Sequence, residues 1–118
     1  MSVKVYQYPK CGTCKKALKW LDAHGVDYTT VDITEKPPSR TALKKYWKAS
    51  GLPIKKLFNT AGKSYREGGF KERLGSMSDG DAIEALAADG KLIKRPIVVA
   101  DDTVLIGFRE AQYEEVFG

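Results

Sequence analysis

The sequence contains few of the residues that most often build structural metal sites. It has two cysteines and one histidine, His24, among 118 residues. A structural zinc ion usually takes four protein ligands, most of them cysteine or histidine. A zinc site is therefore not expected, and no other metal is predicted. His24 is expected to cap a helix end or to lie at the surface.

Long hydrophobic runs are also missing. No segment approaches the roughly 20 apolar residues that a membrane-spanning helix needs. The first residues do not combine a basic stretch with an apolar run, so no secretory signal is recognised. We therefore expect a cytoplasmic protein that does not use a membrane. In the reducing cytosol a disulfide is usually transient and catalytic rather than structural.

Acidic residues are outnumbered: 20 lysines and arginines face 15 aspartates and glutamates, which gives a net charge of +5. The lysines are spread along the chain rather than gathered in one stripe, so direct binding of nucleic acid is not expected. The excess positive charge favours anionic partners such as oxyanions, glutathione or acidic protein surfaces. It is equally compatible with an ordinary solvated surface.

The two cysteines that are present lie three residues apart, in the segment Tyr-Pro-Lys-Cys-Gly-Thr-Cys over residues 8–14. A strand is predicted before them and a helix after them. Cys11 then lies at the first turn of the helix, where free N–H groups and the helix dipole stabilise a thiolate. Lys10 and Lys15 flank it. We predict that Cys11 is a nucleophile and Cys14 its resolving thiol. The alternatives are half of a zinc site or two inert core residues.

The pattern around this motif predicts a βαβ unit. Strands are expected over residues 3–8 and 28–33, with a helix over 12–24 that Gly25 ends. Two strands joined by a crossover helix are parallel. Later strands over 97–100 and 104–106, separated by Asp101 and Asp102, must be antiparallel. A last helix over 110–117 follows.

Between these parts, residues 38–90 read as helical. Ser39 and Ser78 are predicted N-caps, and Gly90 is predicted to end the last of these helices. The predicted fold class is therefore α/β, a thioredoxin-like fold of order βαβ…ββα with a mixed sheet and a helical insertion. The chain is expected to be one domain over 1–118, with its core at 1–37 and 91–118 and the insertion at 38–90.

Two further segments are candidates for the site. Arg95, in the run Lys94-Arg95-Pro96 before the third strand, is placed to reach Cys11 or an anion bound beside it. A surface arginine followed by a strand-starting proline is the alternative. Asn59 lies in a polar loop that either lines a site or merely connects two elements.

Together these residues resemble the arsenate reductase-like family, which includes the ArsC-type reductases and the Spx-type regulators. The resemblance rests on the cysteine motif, on Pro-Pro-Ser-Arg at 37–40, on Leu-Phe-Asn-Thr at 57–60, on residues 92–99 and on Ile-Gly-Phe at 106–108. It implies a thioredoxin-like fold with a helical insertion, a cis Pro96 and a role for Arg95 in the site. The candidates for binding substrate or an anion are then Lys10, Gly12, Thr13, Asn59 and Pro96.

The sequence departs from that family in ways that bear on function. Arsenate reductases of this type use one cysteine and three arginines, of which Cys11 and Arg95 match two members. Asn59 and Gly107 stand where the other two arginines are expected, with Arg109 close by. The resemblance therefore implies weak or absent arsenate reduction. Spx-type regulators carry the C-x-x-C motif and a glycine near position 107, and they bind the α-subunit of RNA polymerase.

The function predicted from the sequence is that of a thiol-disulfide oxidoreductase acting on a small thiol or an oxyanion. Cys11 attacks and Cys14 closes an internal disulfide. No bound cofactor is predicted, and glutathione or a donor protein of the thioredoxin or glutaredoxin type is the expected reductant. The alternatives are a redox-sensing regulator that binds the RNA polymerase α-subunit and, third, an arsenate reductase.

Overall fold

A computed structural model describes residues 2–118, and over this range the chain forms four strands and six α-helices. The strands are β1 (Val3–Gln7), β2 (Thr29–Asp32), β3 (Ile97–Ala100) and β4 (Thr103–Ile106). The helices are α1 (Gly12–Ala23), α2 (Arg40–Ser50), α3 (Lys63–Glu67), α4 (Phe70–Arg73), α5 (Asp79–Ala88) and α6 (Glu110–Phe117). Two short 3₁₀ turns span Ile54–Leu57 and Gly90–Leu92.

The four strands form one mixed sheet in the order β2-β1-β3-β4. β1 and β2 are parallel, as the crossover through α1 predicts, whereas β3 is antiparallel to both β1 and β4. The tight turn between β3 and β4 places Asp101 at φ 55°, a conformation that aspartate tolerates better than most residues. The mixed βαβ…ββα sheet predicted from the sequence is confirmed, and the fold is thioredoxin-like.

The sheet separates two apolar cores because neighbouring strand residues point to opposite faces. On one face Val5 and Val98 pack with α1 and α6, through Leu21 and the fully buried Tyr113. On the other face lie Tyr6, Ile97 and the apolar sides of α2 and α5. The helical insertion therefore covers one whole face of the sheet, and the first and last helices cover the other.

Local signals set the ends of these helices. The Oγ atoms of Ser39 and Ser78 accept the N–H groups of Ala42 and Asp81, both at 3.1 Å, so both predicted N-caps are present. α1 ends at Ala23, and Gly25 follows with φ 68°. Two short helices, α3 and α4, follow within the insertion.

Gly90 has a different role from the one predicted. α5 already ends at Ala88, and the Asp89 carboxylate accepts the N–H of Lys91 at 3.0 Å, so it caps the following turn. Gly90 is buried, and a Cβ placed there would collide with the backbone carbonyl of Ile33 at the end of β2. Glycine is required because the insertion and the sheet approach each other backbone to backbone.

Candidate active site

Cys11 is the N-cap residue of α1. Its backbone is extended, with φ −92° and ψ 116°, and its Sγ accepts the backbone N–H of Cys14 at 3.3 Å. The turn that follows β1 is closed by a hydrogen bond from the Cys11 N–H to the Tyr8 carbonyl at 3.0 Å. The thiol therefore takes the place of the serine or aspartate oxygen that usually caps a helix, and it is partly exposed.

Cys14 lies one helical turn further on, and its side chain is fully buried. The pKa of Cys14 is raised to about 12, first by burial and then by the hydrogen bond with the Cys11 thiol and by the Cys11 charge, while a hydrogen bond with the Tyr8 backbone and the charge of Arg95 act in the opposite direction. Both cysteines are free. The motif thus joins an accessible thiol to a protected one that stays protonated at neutral pH.

The pKa of Cys11 is lowered from its ordinary value of 9.0. Partial burial opposes ionisation, but the thiol and backbone N–H of Cys14 and the guanidinium of Arg95 outweigh it. Neither Lys10 nor Lys15 is among the causes of the shift. The cation that favours the thiolate therefore comes from the opposite end of the sequence and not from the lysines beside the motif.

Arg95 is held in place from two sides. Its Cζ lies 4.9 Å from the centroid of the Tyr8 ring, and its Nη1 donates to the Lys91 carbonyl at 3.3 Å. The peptide bond to Pro96 is cis, as the family resemblance implied. Arg95 Nε is buried and has no hydrogen-bond partner among residues 2–118. This donor is therefore free for a thiolate or for a bound anion.

An open cavity of about 380 Å³ lies beside the Cys11 thiol. Twelve residues line it: Cys11, Thr13, Phe58, Asn59, Thr60, Ala61, Lys94, Arg95, Ile106, Gly107, Phe108 and Arg109. The fold thus brings together four of the residues singled out in the sequence. The four others lie outside the lining: Lys10, Gly12, Cys14 and Pro96.

The far side of the cavity is positioned by an isolated antiparallel bridge between Phe58 and Ile93. On either side of it the Asn59 N–H donates to the Leu92 carbonyl at 2.8 Å and the Lys94 N–H to the Leu57 carbonyl at 2.7 Å. These bonds fix the backbone of Asn59 beside Leu92 and that of Lys94 beside Leu57. The polar loop therefore lines the cavity with a neutral amide.

Lys94 and Arg109 also line the cavity, although the sequence did not single out Lys94 as a site residue. No aspartate or glutamate lies in the lining, so every charge that borders the cavity is positive. The signal available in the sequence was Gly107: without a side chain, this position leaves space that the neighbouring Lys94 occupies. Recognising it requires the pairing of β3 with β4.

Among residues 2–118, no group of three histidine, cysteine, aspartate or glutamate side chains is arranged to hold a metal ion. Over the same residues no helix is both long enough and apolar enough to cross a membrane. The His24 ring stacks on Trp20 with centroids 3.7 Å apart, and its Nδ1 donates to the Trp20 carbonyl at 2.8 Å. This histidine is thus engaged at the C-terminal end of α1, away from the cysteine motif at the N-terminal end.

The fold and the thiol site together define a class of protein. The family model of the ArsC family matches residues 6–116, and the chain belongs to the ArsC family. Among its relatives, the uncharacterised protein YusI of Bacillus subtilis (strain 168) is 50% identical over 98% of this chain and 98% of its own. An arsenate reductase of Rhizobium meliloti (strain 1021) is 33% identical over 85% of this chain and 70% of its own.

Regulators and solved structures of the same family are also similar to the chain. The global transcriptional regulator Spx of Streptococcus pyogenes serotype M3 (strain MGAS315) is 28% identical over 92% of this chain and 79% of its own. The crystal structure of a putative ArsC family related protein from Bacteroides fragilis superposes with a TM-score of 0.95 at 41% identity, covering 98% of each chain. The family thus contains proteins named as reductases and proteins named as regulators.

Proposed function

We propose that this protein is a thiol-disulfide oxidoreductase in which Cys11 is the nucleophile and Cys14 the resolving thiol. The observation that carries the proposal is the pairing of an accessible helix-capping thiol with a buried thiol one turn on, at the edge of a wholly cationic cavity. An inert pair of core cysteines has no need of such a cavity. Membership of a family that includes proteins named arsenate reductase supports a reductase in general.

In the first step the Cys11 thiolate attacks one sulfur of a disulfide substrate. A bond forms between Cys11 Sγ and that sulfur, the substrate S–S bond breaks, and the other sulfur leaves as a thiolate that takes a proton from water. Arg95, whose buried Nε has no other partner, stabilises the attacking thiolate before this step. The product is a mixed disulfide on Cys11.

In the second step Cys14 attacks Cys11 Sγ, loses its proton to the departing substrate thiolate and closes the internal disulfide. The high pKa of Cys14 holds this step back until the mixed disulfide has formed. One influence on the pKa of Cys14 then changes, because the Cys11 charge that opposes its ionisation is gone, while the favourable charge of Arg95 remains. The protein has lost two electrons and the substrate disulfide has gained them. Two glutathione molecules, or a dithiol donor of the thioredoxin or glutaredoxin type, restore the reduced protein.

The test follows both thiols by intact-mass spectrometry after mixing reduced protein with glutathione disulfide. The wild type should gain an internal disulfide without an adduct, Cys14→Ser should hold one glutathione on Cys11, and Cys11→Ser should remain unmodified. Catalytic turnover with a glutathionylated peptide and glutathione should be present only in the wild type or in Cys14→Ser. A reactive Cys11→Ser protein, or a wild type that glutathione disulfide leaves reduced, contradicts the proposal.

Arsenate reduction is a second candidate because Lys94, Arg95 and Arg109 all border the cavity beside Cys11. Asn59 and Gly107 nevertheless leave it without two of the three arginines found in arsenate reductases of this type. Charge-assisted hydrogen bonds contribute about 1.5–3 kcal/mol each, and a flexible lysine does not reproduce the planar fork of arginine. We expect arsenate turnover with glutathione and glutaredoxin to be orders of magnitude below that of a working arsenate reductase. If both proteins reduced arsenate at comparable rates in the same assay, arsenate reduction would become the leading candidate function.

A redox-sensing regulator is the other candidate, supported by the similarity to a protein named global transcriptional regulator Spx. It differs from the enzyme in needing a protein surface that changes with the state of the Cys11–Cys14 pair. Capture of purified RNA polymerase α-subunit by the reduced and the oxidised protein tests it. Binding by only one redox state would favour the regulator. If neither redox state binds, the oxidoreductase remains the better-supported function.

A further inference from the structure

We propose that Lys94 and Arg109 form an anion-binding subsite beside Cys11 that selects substrates carrying a carboxylate near the sulfur. The inference deepens the proposed oxidoreductase function and rests on it. It assigns a role to two cations that the thiol chemistry itself does not use. Arg95, already engaged with Tyr8 and the Lys91 carbonyl, serves the Cys11 thiolate instead.

The first support is the way in which the fold makes room for Lys94. Gly107 is buried, has φ 81° and follows the last residue of β4. A Cβ at this position would lie 3.1 Å from Lys94 Cε, so the end of the lysine side chain lies close beside Gly107. Both residues line the cavity.

The backbone around this crossing is fixed on both sides. The Gly107 N–H donates to the Pro96 carbonyl at 2.8 Å, and the Gly107 carbonyl accepts the buried Tyr113 hydroxyl at 2.9 Å. Lys94 is anchored by its own N–H on Leu57. These bonds fix the backbones of Gly107 and Lys94, and so the point from which the lysine side chain enters the cavity lining.

The second support is that Lys94 and Arg109 border the same two spaces. Both line the cavity beside Cys11, and both line an adjoining cavity of about 210 Å³ that also holds Lys56. Neither cavity contains an acidic residue. A substrate whose sulfur meets Cys11 and whose carboxylate lies a few atoms away can thus reach both cations at once.

The third support is that these charges are not neutralised inside the protein. Among residues 2–118 the ion pairs are Arg40–Glu84 and Lys63–Glu67, both remote from the cavity. No side-chain hydrogen bond of Lys94 or Arg109 occurs within the described chain, while other arginines donate to backbone carbonyls. Unpaired cations that converge on one cavity favour an anionic ligand because like charges repel until an anion joins them.

The decisive experiment compares three disulfides of nearly equal length that differ in the charge of their ends: 3,3′-dithiodipropionate, bis(2-hydroxyethyl) disulfide and cystamine. Each is mixed with reduced protein, and the rate of formation of the Cys11–Cys14 disulfide is followed by quenching and mass spectrometry. The wild type should react fastest with the dicarboxylate and slowest with the diamine. Added salt should reduce the preference, because it screens exposed charges.

The variants Lys94→Gln and Arg109→Gln should each lower the rate with dithiodipropionate about fivefold, as expected for one partly exposed charge. The rate with the neutral disulfide should stay within about twofold. Lys48→Gln is the matched control, because it removes one exposed lysine on α2 that lines neither cavity. A carboxylate preference that survives in the Lys94→Gln/Arg109→Gln double variant overturns the proposal, as does equal reaction with all three disulfides.

A second readout separates this inference from the oxidoreductase proposal. Alkylation of Cys11 by iodoacetate and by iodoacetamide differs in one negative charge and needs no disulfide chemistry. The rate ratio of iodoacetate to iodoacetamide should fall about fivefold in each variant relative to the wild type and should not change in Lys48→Gln. If none of the disulfides oxidises the protein, the oxidoreductase proposal fails, and this ratio still decides whether the subsite recognises a carboxylate. An unchanged ratio in both variants overturns the subsite.

Discussion

The two walls of the cavity are built by different kinds of sequence. The thiol wall, Cys11 and Thr13, comes from one short segment between β1 and α1, and Cys14 lies directly behind it. The cationic wall, Lys94, Arg95 and Arg109, comes from the two ends of a β-hairpin some 80 residues later. The first wall supplies the reacting atoms. In the second wall, Arg95 supplies the charge that favours the Cys11 thiolate.

This division has a physical consequence. A helix N-cap and a buried neighbour already set the two thiols apart, but partial burial works against ionisation of Cys11. The charge that offsets burial is delivered by packing β3 against β1. A change in the thiol wall should therefore abolish the chemistry, whereas a change in the cationic wall should tune it.

The largest expected effect is the difference in reactivity between the two cysteines. The pKa of Cys11 lies below 9.0 and that of Cys14 near 12, so the thiolate fraction of Cys11 is at least about a thousandfold larger at neutral pH. The greater nucleophilicity of a more basic thiolate reduces the resulting difference in reactivity, whereas the burial of Cys14 increases it. Limiting iodoacetamide at pH 6 with peptide mapping should label Cys11 over a hundredfold faster. Equal labelling, or labelling of Cys14 first, removes Cys11 as nucleophile.

The next prediction concerns the stability of the contact between the helical insertion and the sheet. Gly90→Ala inserts a Cβ into the backbone of Ile33, where the insertion meets the thiol-bearing half of the sheet, and should lower the free energy of unfolding by about 2–3 kcal/mol. Gly12→Ala is its control, because a Cβ there meets nothing within 4 Å, and it should change stability by less than about 1 kcal/mol. Urea unfolding of both variants measures the difference. Equal stability of the two would show that the close approach at Gly90 has no energetic importance.

The same division explains what the sequence could predict. The thiol wall is local: its strand, turn and helix follow from Pro9, the apolar spacing and Gly25, so Cys11 and Cys14 were identified from a few neighbouring residues. The order and direction of the strands also followed, because a crossover helix and a two-residue turn each permit one arrangement.

The cationic wall depends on contacts between distant segments, which local patterns do not encode. Arg95 was recognised mainly through the family resemblance, and Lys94 was passed over because its role depends on the empty space at Gly107. Gly90 was misread for the same reason. A helix-ending glycine and a glycine at a close backbone approach look identical in sequence and differ only by the partner, here Ile33.

A direct test of the cationic wall is the removal of its guanidinium. Arg95→Ala should raise the pKa of Cys11, because the guanidinium charge that favours the thiolate is lost while partial burial remains. Alkylation near neutral pH should slow accordingly. Arg95→Lys should restore part of the shift through its charge. Thiolate absorbance near 240 nm, titrated in a Cys14→Ser background, gives each pKa.

Lys10→Ala is the comparison for that titration, since it removes an exposed cation next to Cys11 in the sequence that does not border the cavity. Its curve should stay close to that of the parent protein. If the Arg95→Ala curve also coincides with the parent curve, the two walls are electrically independent. The role of Arg95 would then be limited to binding substrate or a partner.

The smallest expected effect is that of the buried Cys14 on the stability of the reduced protein at alkaline pH. The folded pKa of Cys14 is raised to about 12 from an ordinary 9.0, so folding favours its protonated form. The stability this provides is fully present below pH 9 and is lost as the pH rises from 9 towards 12, at up to about 1.4 kcal/mol per pH unit. Cys11, whose folded pKa is lowered, instead makes the protein more stable as the pH rises. This gain in stability is complete once the pH exceeds 9. Tyr28, Tyr46 and Tyr113, whose pKa values burial also raises, contribute mainly above pH 10, the ordinary tyrosine value. Between pH 9 and 10 the decline should therefore come chiefly from Cys14. Urea unfolding under reducing conditions should show this slope in the wild type and in Cys11→Ser and should show it much reduced in Cys14→Ala. A slope that persists in Cys14→Ala would mean that the thiol behind the wall is not protected by the fold, and that the division of labour between the two cysteines has to come from the cationic wall alone.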